Sequence, residues 1–241
     1  MAILGVEFTQ FGLSVNQHVI YDDLSIAFEA GKTTCILGTS GVGKSLLLKS
    51  IVGLLTAPAF QLSGSIAVEL DGCAYMGQTD GLLPWLTCLD NTLLAAKLNH
   101  SITKAERQKA IDILIKIGLG DALEKRPDEL SGGMKQRVAL ARTLMQDKPI
   151  VLMDEPFSAL DAITKLKLQD LTAELLANKT VILVTHDPME ALRLGHAVYV
   201  LSGSPVKFES PIYPEHLPPR KTTDASMLML QGELLSRLEQ Q

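Results

Sequence analysis

The sequence predicts an α/β fold with a mainly parallel sheet, an antiparallel β layer at its start and a helical subdomain inserted in its middle. Three observations predict it. Ile150-Val151-Leu152-Met153 and Val181-Ile182-Leu183-Val184 are continuous apolar runs with no polar face, the pattern of parallel strands covered on both sides by helices. Thr33-Thr34-Cys35-Ile36-Leu37 is a short β-prone run that ends in a glycine-rich loop and leads into an apolar helix. Residues 103–117 place Ile111, Leu114 and Ile115 among Lys104, Glu106, Arg107 and Lys109 at helical spacing.

Each element follows from local pattern. Residues 5–8 and 24–28 alternate or cluster apolar side chains between turn-like segments, as half-buried strands do, and form the antiparallel layer. Beyond the glycine-rich loop, Leu46-Leu47-Leu48, Ile51-Val52 and Leu54-Leu55 make one helix, expected to stop before Pro58. The helical subdomain covers about residues 80–145 and includes a helix after Ser131, with Met134, Val138, Ala141 and Met145 at helical spacing. Near the C-terminus, Pro205, Pro211, Pro214, Pro218 and Pro219 break regular structure. A last helix over residues 226–238 carries Met227, Leu230, Leu234 and Leu238 on one face. The expected division is a domain over residues 1–203 and an extension over 204–241, with no internal repeat.

Composition sets limits. The 241 residues hold 22 Lys and Arg against 27 Asp and Glu, a net charge of −5, which weighs against a basic nucleic-acid binder. Apolar residues at 46% and charged residues at 20% are ordinary for a globular domain and supply a core. No apolar run approaches the roughly 18 residues of a membrane span. Met1-Ala2-Ile3-Leu4 lacks the basic and apolar regions of a secretory signal, so a cytosolic chain is expected. Cys35, Cys73 and Cys88 are odd in number and far apart, which argues against a disulfide framework or a zinc knuckle.

Chemistry concentrates in three segments. Gly38-Thr39-Ser40-Gly41-Val42-Gly43-Lys44-Ser45 fits the phosphate-binding loop, Gly, four residues, then Gly-Lys-Ser. Its glycines let backbone N–H groups wrap around phosphate oxygens, and the following helix adds the positive end of its dipole. Lys44 is expected on the β- and γ-phosphates of ATP and the Ser45 hydroxyl on Mg²⁺. Met153-Asp154-Glu155 ends an apolar strand in two carboxylates, on the sheet edge where the loop opens. Asp154 suits Mg²⁺, through water, and Glu155 suits the proton of an attacking water. Ser131-Gly132-Gly133 precedes a helix and makes a second anion-ready N-terminus.

Leu130-Ser131-Gly132-Gly133-Met134-Lys135-Gln136-Arg137 resembles the signature motif of ATP-binding cassette (ABC) ATPases, and the motif order agrees. The resemblance spans nearly all of residues 1–203 and implies a P-loop NTPase fold. It assigns Gln78 to the Q-loop, as a catalytic and metal-side residue, Ser158-Ala159-Leu160-Asp161 to the D-loop and His186 to the switch. It implies a head-to-tail homodimer, each ATP held between the loop of one subunit, including Leu46, and Ser131 and Gly133 of the other, with Gly132 and Asp161 beside them. Lys44 and His186 would share the γ-phosphate in cis. Phe11 stands about where the family stacks an aromatic ring on adenine, with Tyr21 as the alternative. Leu46, in place of a second hydroxyl, and Thr39, in place of a proline, depart from the family pattern without removing a catalytic group.

Only 53 positions separate Gln78 from Ser131, too few for the coiled-coil insertion of chromosome-maintenance relatives, and there is one set of motifs. A separate transporter subunit remains, peripheral on the cytoplasmic face of the membrane and bound to two permease subunits, with an extracytoplasmic solute-binding protein as an indirect partner and no nucleic acid. Leu82-Leu83-Pro84-Trp85-Leu86-Thr87 reads as the surface that receives a permease helix, because such a loop needs something to bury it. This segment and Leu217-Pro218-Pro219-Arg220 resemble importers of nitrate, sulfonate, taurine and thiamine precursors, with the thiamine pyrimidine precursor as the first expectation. The alternatives are a non-transport ATP-switch module and, further off, a P-loop kinase.

Overall fold

The computed structural model describes residues 5–99 and 101–239. The Met1-Ala2-Ile3-Leu4 segment lies outside the described residues. In chain order the elements are β1 (Val6–Val15), β2 (His18–Phe28), β3 (Thr33–Leu37), α1 (Lys44–Ile51), β4 (Phe60–Ala67), β5 (Cys73–Met76), α2 (Cys88–Thr92), α3 (Leu94–Asn99), α4 (Lys104–Lys116), α5 (Gly132–Met145), β6 (Ile150–Asp154), α6 (Ala162–Leu175), β7 (Thr180–Val184), α7 (Pro188–Leu194), β8 (Ala197–Ser202), β9 (Lys207–Phe208) and α8 (Ala225–Glu239).

The six-stranded sheet has the order β5-β6-β7-β3-β8-β9, parallel except for β9. Every residue of β6 and β7 is buried, as their unbroken apolar runs require. One face, with Cys35, Leu37, Val151 and Leu183, packs with the helices; the other, with Ile36, Leu152 and Ile182, joins the aromatic cluster of the antiparallel layer. That layer is three-stranded, β2-β1-β4. Its third strand, β4, escapes sequence reading because it is mostly exposed and contains Gly64.

α1 is shorter than expected. It ends at Ile51, where Gly53 at φ 68° turns the chain well before Pro58. α4 begins on a capping box in which Thr103 and Glu106 satisfy each other's backbone N–H. Its buried face is Ala110, Ile113 and Leu114, while Ile115 points outward at 56% exposure, so the apolar stripe is offset from the one the spacing of Ile111, Leu114 and Ile115 suggests. α8 buries Met227 and Leu234 and packs Leu230 and Leu238 on the core, the face expected, against α7 and β8. The three cysteines are free thiols. Among the described residues, no helix is long and apolar enough to cross a membrane.

Candidate nucleotide site

Parallel strands put their carboxyl ends on one edge, and β3, β5, β6 and β7 each deliver one part of the site there. β3 runs into Gly38, and the loop closes at Gly43, the N-cap of α1, whose first turn holds no acid to oppose its dipole. Gly41 at φ 84° and Gly43 at φ 119° occupy backbone that side chains resist. A Cβ on Gly43 would also stand 2.9 Å from Ile20 Cγ2, so β2 presses against the loop. Lys44, 5% exposed, folds back along the loop, its Nζ donating to the carbonyls of Gly38 at 2.7 Å and Thr39 at 2.8 Å. Burial lowers its ammonium pKa, opposed by the charges of Glu155 and Asp154.

The register pairs Asp154 with Val184, so Glu155 and His186 emerge side by side from neighbouring strands. Glu155 Oε2 lies 3.2 Å from His186 Nδ1. The Glu155 backbone is left-handed at φ 51°, a strained state for a non-glycine residue, held because its N–H donates to Val184 O at 2.8 Å. Asp154 is 2% exposed and its Oδ2 accepts no hydrogen bond. Burial raises its pKa, offset in part by the Ser45 hydroxyl bond. A buried carboxylate oxygen without a partner, next to a hydroxyl, is an oxygen donor set that fits a hard cation such as Mg²⁺.

One cavity of about 200 Å³ gathers Ser40, Gly41, Gly43, Lys44, Ser45, Leu46, Gln78 and Glu155. Gln78, exposed after β5, thus joins the loop it was separated from in sequence. Gly38, Thr39 and Val42 complete the loop outside the lining of that cavity.

Ser131, Gly132, Gly133 and Asp161 do not line it. Ser131 caps α5 by accepting from Met134 N–H at 3.3 Å, and a Cβ on Gly133 would meet Ala159 O at 3.0 Å, so the signature and D-loop segments of one chain touch each other. Asp161 caps α6 through Thr164 N–H at 3.0 Å.

Phe11 requires correction. It is 2% exposed, edge-to-face with Phe8 at 5.0 Å and tilted against Tyr21 at 6.3 Å, so neither face is open to a base. Tyr21 is equally buried, its hydroxyl donating to Gly43 O at 3.2 Å. Both belong to the core, Phe11 from β1 and Tyr21 from β2, where register shifts between the two strands reset which side chains face inward.

Other polar side chains organise the site without having been singled out in the sequence. Gln136 donates through Nε2 to Glu155 O at 2.9 Å and Ser158 Oγ at 3.1 Å, and its Oε1 accepts from Ala159 N–H at 2.8 Å. Arg142, on the same helix, holds the carbonyls of Asp80 and Gly81 after the Q-loop glutamine. Lys165 of α6 bridges Asp187 at 2.6 Å and Glu190 at 2.9 Å, next to His186. Asn91 ties its side chain to the backbone of Leu83, Leu86 and Thr87, which leaves Trp85 66% exposed while Leu82 packs on the core. The available signal for Gln136 was its position three and four residues before Ala139 and Leu140, a polar group on a buried helix face that must find a partner.

A protein-family profile described as ABC transporter matches residues 21–158, more than half of the chain. The chain belongs to the ABC transporter family. As an ABC cassette it is an ATP-binding, ATP-hydrolysing protein. It is 42% identical over 238 residues to an uncharacterized ABC transporter ATP-binding protein of Haemophilus influenzae, covering 97% of this chain and 98% of that one. It is 38% identical to the aliphatic sulfonates import ATP-binding protein SsuB 1 of Rhodococcus jostii, covering 99% and 95%, and 36% identical to the nitrate transport protein NasD of Klebsiella oxytoca, covering 87% and 83%. Among solved structures, the dimeric post-hydrolysis state of the ATP-binding cassette MJ0796 bound to ADP and Pi has a TM-score of 0.77 and 26% identity, over 88% of this cassette and all of that chain.

Proposed function

We propose that this cassette is the ATP-hydrolysing subunit of an importer, acting as a head-to-tail homodimer on two membrane permease subunits at the cytoplasmic face, with solute supplied by an extracytoplasmic binding protein. The carrying observation is that one cavity joins the phosphate loop, Gln78 and Glu155 while Ser131, Gly132 and Gly133, at the capped N-terminus of α5, do not line it. Two anion-binding ends that do not meet in one chain are brought together by a second copy. The dimeric form of the MJ0796 cassette supports this arrangement. Sulfonate and nitrate stand as the favoured solutes because relatives bear those names, ahead of the thiamine pyrimidine precursor. Residues 1–203 act as the ATPase domain, with residues 204–241 as an extension whose α8 packs on it.

The residues divide the work. Lys44 exchanges its two neutral carbonyl partners for anionic β- and γ-phosphate oxygens, a stronger contact because donor and acceptor are then both charged. Backbone N–H groups from Gly38, Thr39, Ser40, Gly41, Val42 and Gly43 hold the remaining phosphate charge, with Lys44, Ser45 and Leu46 opening the helix behind them. Asp154, Ser45 and Gln78 would hold Mg²⁺, which supplies Lewis-acid neutralisation of phosphate charge. Glu155, oriented by His186 and by its fixed backbone, takes the proton of the attacking water. Ser131 and Gly133 of the second copy close the site over the γ-phosphate, with Gly132 and Asp161 at its border. Loss of that phosphate removes the shared ligand and lets the dimer open, the motion that drives the permease.

Glu155→Gln tests the assignment. Steady-state ATPase assays are expected to show turnover slowed by roughly 10²–10⁴ with ATP binding retained, the range for loss of a general base. Turnover at the parent rate would remove Glu155 from that role.

A further inference from the structure

The amino ends of β3, β7 and β8 lie on the edge of the sheet opposite the nucleotide site, and there two cavities adjoin. The first, about 320 Å³, has an apolar lining that includes Met153, Leu176, Val181, Leu183 and Leu194. The second, about 230 Å³, is lined by Glu29, His216 and Arg220 among others. Lys32, His196 and Leu217 line both, so the cavities form one cleft with an apolar end and a charged end.

The charged end is electropositive. Arg220 is 5% exposed and spends all its guanidinium bonds on backbone carbonyls, those of Glu215, Leu192, Gly195, Pro214 and His216. Among the described residues no carboxylate forms an ion pair with it, so its positive charge is balanced by carbonyl dipoles alone. Glu29 is the one carboxylate lining this end, and it stands 3.9 Å from Lys32 with 71% of its side chain exposed. His196 Nδ1 accepts from Thr33 N–H at 3.0 Å, which leaves Nε2 as the N–H donor of the neutral ring. Burial, then the charges of Lys32 and Arg220, lower the pKa of that ring, opposed by the charge of Glu29. At the apolar end, Lys179 is engaged by Asp147 and by the Lys148 carbonyl, while the buried Thr172 hydroxyl has no hydrogen-bond partner.

We propose that this cleft binds a small organic anion, its aliphatic body against Leu176, Val181 and Leu194 and its anionic group between Lys32 and His196 in the field of Arg220. Volume, an apolar lining and a few convergent polar groups are what a small-molecule site requires. The anion would lie beneath Leu217 and Pro218 and touch the extension that Arg220 fastens to α7.

Hexane-1-sulfonate is the probe, titrated calorimetrically into the full chain with MgADP saturating the phosphate loop. Saturable binding of one anion per chain is expected. Three comparisons are each expected to weaken it by roughly tenfold or more: hexylammonium, which keeps the body and reverses the charge; methanesulfonate, which keeps the group and removes the body; and Lys32→Glu, which reverses one facing charge on a half-buried side chain. Absence of saturable binding, equal binding of hexylammonium, or an unchanged affinity in Lys32→Glu would each overturn the proposal.

Discussion

Asp154 and Lys44 show how the site stores its chemistry in single side chains. Asp154 keeps an unbonded oxygen in the interior, and burial raises its pKa. A carboxyl with a raised folded-state pKa favours the fold only while protonated, so that contribution is full below the ordinary carboxylate range and is lost as pH rises through the raised value. Asp154→Asn is therefore expected to raise thermal stability at neutral pH, by about 1 kcal/mol in a denaturation curve, with the gain vanishing at acid pH, and to abolish Mg²⁺-dependent ATPase activity. A destabilised Asn variant at neutral pH would contradict the idea that the cation site is held at a cost to the fold. At this scale the sequence was most legible for the glycines, Lys44, Ser45, Asp154 and Glu155, because their spacing carries the chemistry. Phe11 was misread for a physical reason: aromatic residues in a bulged strand face either the core or a ligand, and alternation alone does not say which.

At the scale of elements, α5 and the α6–α7 pair hold the parts of the site together. α5 reaches the Q-loop through Arg142, and the Glu155 and D-loop backbone through Gln136, so one rigid helix touches three of the predicted motifs. Lys165 joins α6, capped by Asp161, to α7, capped by Asp187, immediately after His186. Lys165→Met leaves Glu190 buried without its cation and is expected to cost about 2–3 kcal/mol in urea unfolding. The same variant is expected to lower kcat for ATP with little change in KM, and Lys165→Arg to restore both. A fall in stability with kcat unaltered would confine Lys165 to packing. Strands β6 and β7 were legible because continuous apolar runs admit few alternatives, and α8 was legible from its stripe. β4 and the stapling roles of Gln136, Arg142 and Lys165 were not, since polar side chains announce a partner but not its address in a chain folded across long sequence separations.

For the whole molecule, the parallel sheet explains why residues from positions 38 to 186 meet at one edge, and why the opposite edge is free to carry a second cleft. The loop held by Asn91 presents Trp85 on the surface beside the Q-loop, where a permease segment would bury it. Trp85→Ser is expected to leave ATP binding intact and to reduce co-purification with permease subunits by roughly tenfold or more; undiminished capture would place the permease surface elsewhere. In the proposed homodimer a second copy completes the nucleotide site. Light scattering tests this through the mass of Glu155→Gln with MgATP, alone and combined with Ser131→Arg. The expected result is a particle of twice the 26.1 kDa chain mass for the first and a single-chain mass for the second. A monomer in the first case, or a dimer indifferent to Ser131→Arg, would contradict it.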